Sequence, residues 1–208
     1  MNNPRVTENA QVSGDAQVSG VALVYEYARV YEYARVYEYA RVYGNAQISG
    51  DAWVSGYAQV LGNARVYEYA RVYGNAQISG DAWVSGYAQV LGNARVGGDA
   101  QVSGVARVYG NAQVDGNAWI GGYARVSGNA RIGGKAQVGG NAWVSGYAWV
   151  DGEAEINSDK DWCFIAPDLT VYRSRRAERY EIRNGEGELV SLETLSEVQL
   201  AEFFDWFI

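Results

Sequence analysis

The 208-residue chain has no histidine, one cysteine, one methionine and two prolines. Without histidine no side chain titrates near neutrality in its ordinary state, so general-base chemistry at pH 7 would need a strongly shifted Glu, Asp, Lys or Tyr. Histidine-ligated metal sites are excluded, and Cys163 alone forms neither an intrachain disulfide nor a thiolate zinc site. Set between Trp162 and Phe164, it reads as a buried small hydrophobe, and a single thiol fits a reducing compartment. Long apolar runs are also missing. Residues 1–20 contain none, and no stretch of about 18 apolar residues is present to cross a bilayer. The expectation is a cytoplasmic protein without membrane contact.

What the chain has in excess is Ala, Val, Gly and Tyr, and the excess follows one rule. From Ala10 to Ala154 every sixth residue is alanine, 25 hexads without exception, and from Val12 to Ile156 every sixth residue is Val or Ile. The unit is Ala-x-Val-x-Gly-x, as in Ala46-Gln-Ile-Ser-Gly-Asp51. Alanine and the β-branched residue lie two apart, so in an extended strand both face one side and the residue between them faces the other. Gly followed by Asn or Asp, as at Gly44-Asn45 and Gly62-Asn63, supplies residues that tolerate positive φ at a corner. A helix does not accommodate this period, and its glycines would cost about 1 kcal/mol per turn. Three strand-and-corner units close a triangle, so 18 residues make one coil of a parallel β-helix. About eight such coils form a rod on the order of 40 Å long, each coil burying its apolar edge against its neighbours.

The unbroken hexads resemble the bacterial hexapeptide-repeat proteins, and the resemblance covers about three-quarters of the chain. It implies a left-handed coil, which the spacing does not give and ordinary crossover rules would not favour. Glycine falls two positions after Val/Ile here, whereas the acyltransferases of that family commonly place it one after. The closer likeness is to the Asn-Ala-Arg-Val-x-Gly type of uncharacterised bacterial and phage proteins and some cytoskeletal-polymer-like proteins, so a phage-encoded origin is compatible. The family's acyltransferases use a histidine base and its carbonic anhydrases use histidine ligands, and neither carries over onto any position of this chain. The resemblance therefore implies a non-enzymatic member, without catalytic residues, metal or cofactor.

The period stops after Ile156, which divides the chain into a β-helix over 1–156 and a C-terminal α+β cap over 157–208. In the cap, strands are expected at Trp162-Cys-Phe-Ile165 and Leu169-Thr-Val-Tyr172. A hairpin is expected around Asn184-Gly185, flanked by Arg179–Arg183 and Glu186–Val190. Overlapping capping boxes at Thr194 and Ser196 introduce an amphipathic helix from about Glu197 to Phe207. Its apolar residues Phe203, Phe204, Trp206 and Phe207 are candidates for self-association. At the other end, Pro4 occupies an alanine slot, where a missing N–H is expected to blunt the first strand edge.

Residues 1–156 hold 11 basic and 13 acidic side chains, and residues 157–208 hold 6 and 11. This balance argues against direct nucleic-acid binding. The outward mid-strand residue is mostly Gln, Arg or Trp, and residues 18 apart stack. Arg65, Trp83, Gln101 and Trp119 are expected to form one ladder, Arg35, Trp53 and Arg71 a second, and Arg131 with Trp149 part of a third. Arg beside Trp permits cation–π contact. Trp53 and Trp83 are thus candidate interaction residues, although residues 43–66 recur identically at 73–96, a displacement of 30 that places these two on different faces. The hexad Tyr-Glu-Tyr-Ala-Arg-Val occurs three times from Tyr25 and once from Tyr67. Its corners lack Gly, Asn and Asp, so they should turn by another geometry or under strain.

Asp151, Glu153, Glu155, Asp159 and Asp161 form the densest carboxylate run, which alternating strand positions scatter rather than gather around a cation. The reading is a structural or protein-interaction rod that self-associates, as a homo-oligomer or end to end, and presents surface to a possible protein partner. One rival is an acidic decoy or inhibitor acting through Glu193, Glu197 and Glu202. Others are an acyltransferase-like enzyme lacking histidine, and an ice-binding protein, which the near absence of threonine disfavours.

Overall fold

The computed structural model describes residues 4–7, 9–150 and 152–156 together with the backbone of three strands beyond them. It is an all-β parallel solenoid of about eight coils. Each hexad contributes a short strand, and strands three apart in sequence pair in parallel, so every residue sits beside the one 18 positions later. Three sheets result, one on each face of the prism. Face A runs from Arg5–Val6 to Trp149–Val150, face B from Gln11–Val12 to Glu155–Ile156, and face C from Gln17–Val18 to Trp143–Gly146.

The interior is built from two positions of the hexad. From Ala22 to Val150 every alanine and every Val or Ile of the repeat is buried, nearly all to 0% exposure. Alanine is small enough to let the chain turn beside it, and the β-branched partner fills the remaining volume in a strand it favours. The four isoleucines Ile48, Ile78, Ile120 and Ile132 are the largest side chains of this core.

Corners are made by the fifth residue of the hexad. Every glycine at this position from Gly14 to Gly152 has φ between +57° and +74°, the left-handed region that glycine enters without steric penalty. A Cβ on Gly50 would lie 2.7 Å from the backbone nitrogen of Glu68 in the next coil, so a side chain at this position makes the coils shift locally. The Asn or Asp that follows does not take positive φ. Its role is along the axis: Asn75 donates to Asn93, Asn93 to Asn111 and Asn111 to Asn129, each at 3.1 Å.

The Tyr-Glu-Tyr corners use this same turn instead of another one. Glu26, Glu32, Glu38 and Glu68 take φ of 60° or 61° in the glycine position. Left-handed backbone costs a residue with a Cβ roughly 1–2 kcal/mol. Each carboxylate offsets that cost by accepting the N–H of the glycine one coil on: Gly44 donates to Glu26 Oε2 at 2.7 Å and Gly86 to Glu68 Oε2 at 2.6 Å. Gly50 and Gly56 donate likewise to Glu32 and Glu38.

Beyond the rod, strands at Trp162–Ala166, Leu169–Arg173 and Glu181–Asn184 extend face C into an 11-stranded sheet. The first pairs in parallel with Trp143–Gly146 and the next two add antiparallel. The two strands expected at 162–165 and 169–172 are therefore present, each slightly longer. Asn184 closes the third strand, while Gly185 of the expected turn and its returning strand, the helix after Glu197, and the side chains of Cys163, Glu193, Glu197, Glu202, Phe203, Phe204, Trp206 and Phe207 lie outside the described residues.

Candidate functional site

Any function of the rod is carried by what its three faces, its corners and its ends present to solvent. The expected ladders form. On face B, Arg65 pairs in register with Trp83, Trp83 with Gln101 and Gln101 with Trp119. On face C, Arg35, Trp53 and Arg71 are consecutive, and on face A Arg131 precedes Trp149. The guanidinium of Arg65 lies 5.1 Å from the Trp83 ring centroid, and that of Arg71 lies 5.7 Å from Trp53. Exposed contacts of this kind stabilise by roughly 0.5–1 kcal/mol each. Trp53 is on face C and Trp83 on face B, so the structure does not bring these two candidates together.

Aromatic residues cluster where the Tyr-Glu-Tyr hexads turn. Tyr25 stacks on Tyr43 with centroids 4.9 Å apart, Tyr39 on Tyr57 at 4.8 Å and Tyr69 on Tyr87 at 4.9 Å, all with nearly parallel rings. Tyr37 and Tyr67 meet Trp53 and Trp83 edge to face. Burial holds the Tyr25 hydroxyl proton above its ordinary range, with Tyr43 and Glu26 acting in the same direction and Arg41 opposing. A shallow open groove of about 390 Å³ runs between the C–A corner and face A, lined by Asn111, Gln113, Asn129, Arg131, Tyr147 and Trp149. Its amides, guanidinium and rings suit adsorption of a polar ligand with a flat apolar face. No nucleophile with an adjacent base lines it.

Of the carboxylate run at the rod's end, Glu153 accepts from Lys135 Nζ at 3.1 Å and Glu155 is exposed; Asp151, Asp159 and Asp161 lie outside the described residues. Among the described residues no group of three potential ligands is placed to hold a metal ion, and no helix is long and apolar enough to cross a membrane.

The two ends differ in a way that the hexad does not advertise. Along the rod, most inter-coil N–H groups donate to carbonyls of the next coil, as from Arg29 to Ala46, Tyr31 to Ile48 and Tyr33 to Gly50, while within each parallel strand ladder the Val or Ile N–H donates back. The first coil therefore turns the carbonyls of Ala10, Val12, Gly14, Ala16 and Val18 toward an end where its three strands are the outermost of their sheets. Val6 and Val12 are 46% and 38% exposed there. At the far end the polarity reverses: Trp149–Val150 and Glu155–Ile156 are the last strands of faces A and B, with donors facing outward. Pro4 does not blunt the first edge. The alanine slot directs its N–H back within the corner, as Ala28 does to Tyr25 and Ala34 to Tyr31, so proline removes a corner bond and leaves the ladder edge unchanged.

The hexads match a known repeat. The family model for the YdcK beta solenoid repeat aligns at residues 40–56, 46–62, 58–74, 70–86, 76–92 and 136–152. No curated protein matches the sequence. Solved structures with a similar coil include a UDP-N-acetylglucosamine acyltransferase from Arabidopsis, 12% identical over 88% of this chain and 72% of that one, with a TM-score of 0.47. The corresponding acyltransferase from Campylobacter jejuni is 16% identical over 100% of this chain and 82% of that one, at 0.36. PerB from Caulobacter crescentus, solved with CoA and GDP-perosamine, is 11% identical over 68% of this chain, at 0.44, and this chain spans 57% of its length.

Proposed function

We infer that the protein is a structural rod that assembles end to end, head to tail, and works by presenting repeated side-chain ladders along its length. The observation that carries this reading is the polarity of the two ends. An acceptor-rich first coil with exposed Val6 and Val12 is complementary to the donor-bearing last strands of faces A and B. Strand edges left unpaired recruit further strands, and a heterologous contact that does not close gives a filament. Core and corner residues repeat with hardly a change, whereas the outward residue switches mostly among Gln, Arg and Trp, which supports selection for a stiff coil. We extend this reading to a non-enzymatic role with no cofactor, and to the left hand that the hexapeptide resemblance implies. An acyltransferase-like activity without histidine is the second reading, and the coil is its only support.

The test is light scattering on the full chain over a range of concentrations, beside the variant Val6→Lys with Val12→Lys. Both valines are exposed, so the fold tolerates the change. Wild-type mass rises with concentration and the variant remains monomeric. A wild-type mass that is constant over the series, or a rise that the variant shares, removes the reading.

A further inference from the structure

We propose that face C, from Trp53 to Trp143, binds a linear acidic polysaccharide laid along the rod axis. Charge is segregated around the prism in a way that the net value of the rod conceals. Between residues 73 and 150 the only carboxylates are Asp81, Asp99 and Asp115, and the 18-residue register puts all three on the A–B corner, the corner opposite face C. Over the same coils face C carries Arg107 and Arg125 directly after Arg71 and Gln89, in one continuous ladder. Over these coils face C is the one face whose two flanking corners both lack carboxylates; at the start of the strip the B–C corner carries Asp51 and Glu68, the latter accepting the Gly86 N–H. Face A also holds arginines, Arg95 and Arg131, but it borders the acidic corner. Among the described residues the single salt bridge is Lys135 to Glu153, so the arginines of face C have no carboxylate partner there.

The remaining side chains of this surface suit sugar rings. Trp53 and Trp143 stand at its two ends, 38% and 40% exposed. Along the B–C corner Tyr69, Tyr87, Val105 and Tyr123 form an exposed column; the first two stack face to face at 4.9 Å, so a chain laid along the axis meets their ring edges and hydroxyls, which offer apolar contact and hydrogen bonds to a sugar. Gln89 and the asparagine ladder of the C–A corner offer amide donors and acceptors for hydroxyls. With coils about 4.8 Å apart, Arg71 to Arg107 spans about 10 Å and the whole strip about 24 Å. With arginines one or two coils apart, the strip suits a polymer bearing one carboxylate per sugar, of which some meet an arginine. It is far sparser than duplex DNA, which carries one charge per about 1.7 Å, and the net charge of −7 opposes so dense a polyanion. Occupying face C leaves both ends of the rod free, so polysaccharide binding and end-to-end assembly fail or succeed separately.

The experiment measures binding of polygalacturonate to the full chain by calorimetry, with neutral dextran and oligo-dT as comparison probes. Two double variants are compared with wild type: Arg107→Glu with Arg125→Glu on face C, and Arg95→Glu with Arg131→Glu on face A. Arg107→Gln with Arg125→Gln serves in place of the first if charge reversal lowers the melting temperature. Polygalacturonate binds, the face C variant weakens it about tenfold or more, and the face A variant by less than about threefold. The log of affinity falls with log salt with a slope on the order of 2–3, as expected for three charge contacts. The proposal is overturned if polygalacturonate does not bind at low salt, if both variants lose affinity equally, or if dextran or oligo-dT binds as tightly.

Discussion

At the scale of single residues, the most informative positions are the four glutamates that stand where the repeat calls for glycine. Their backbone strain and their bond to the next coil oppose each other, which separates two substitutions that usually rank the other way. Glu32→Ala keeps a Cβ at positive φ and loses the bond to the Gly50 N–H, so it should destabilise by about 1–2 kcal/mol. Glu32→Gly loses the same bond and relieves the strain, and should lie within about 0.5 kcal/mol of wild type; chemical denaturation of both variants checks the order. Tyr25 supplies a pH-dependent counterpart. The folded chain holds its proton more tightly than the unfolded chain does, so this contribution to stability is complete below a pH of about 10 and is lost as pH rises through the raised value. Tyr25→Phe should therefore show a smaller drop in melting temperature than wild type between about pH 9 and about pH 11.

At the scale of the element, the hexad is a division of labour. Ala and Val or Ile point inward, glycine turns, and the remaining positions face solvent, where only the ladder partner 18 residues away constrains them. That division was legible in the sequence, since the period and the two-residue offset between Ala and Val leave few alternatives. The glutamate turn was not, because a carboxylate reaching the next coil is visible only when coils are stacked. For the same reason Asn and Asp looked like turn formers, whereas their amides and carboxylates run along the axis, as in Asn63 donating to Asp81 at 2.9 Å. Core positions should respond locally: Ile78→Ala leaves a void closed in by stacked neighbours above and below and should cost about 2–5 kcal/mol. Amide exchange should show the loss centred on the coils that flank Ile78, since each coil touches only its neighbours.

At the scale of the whole molecule, the rod is a polar object in two senses. Along its axis, carbonyls outnumber N–H groups at the exposed edge of the first coil; around its axis, the carboxylates of residues 73–150 occupy the corner opposite face C. Neither property follows from composition, because summing charge over residues 1–156 cancels what the 18-residue register separates. Trp53 and Trp83 show the same effect at smaller scale: a 30-residue duplication kept the hexad and moved a tryptophan to another face. The hand of the coil stands on the hexapeptide resemblance, because the spacing of Ala and Val is the same for either hand.

Electron microscopy of the full chain at increasing concentration shows directly how rods meet. The expected images show rods on the order of 40 Å long that join end to end, all pointing the same way within a filament, with the joint at the coil bearing Val6 and Val12. Isolated rods at every concentration, or rods packed side by side into closed oligomers with their ends free, would contradict end-to-end assembly.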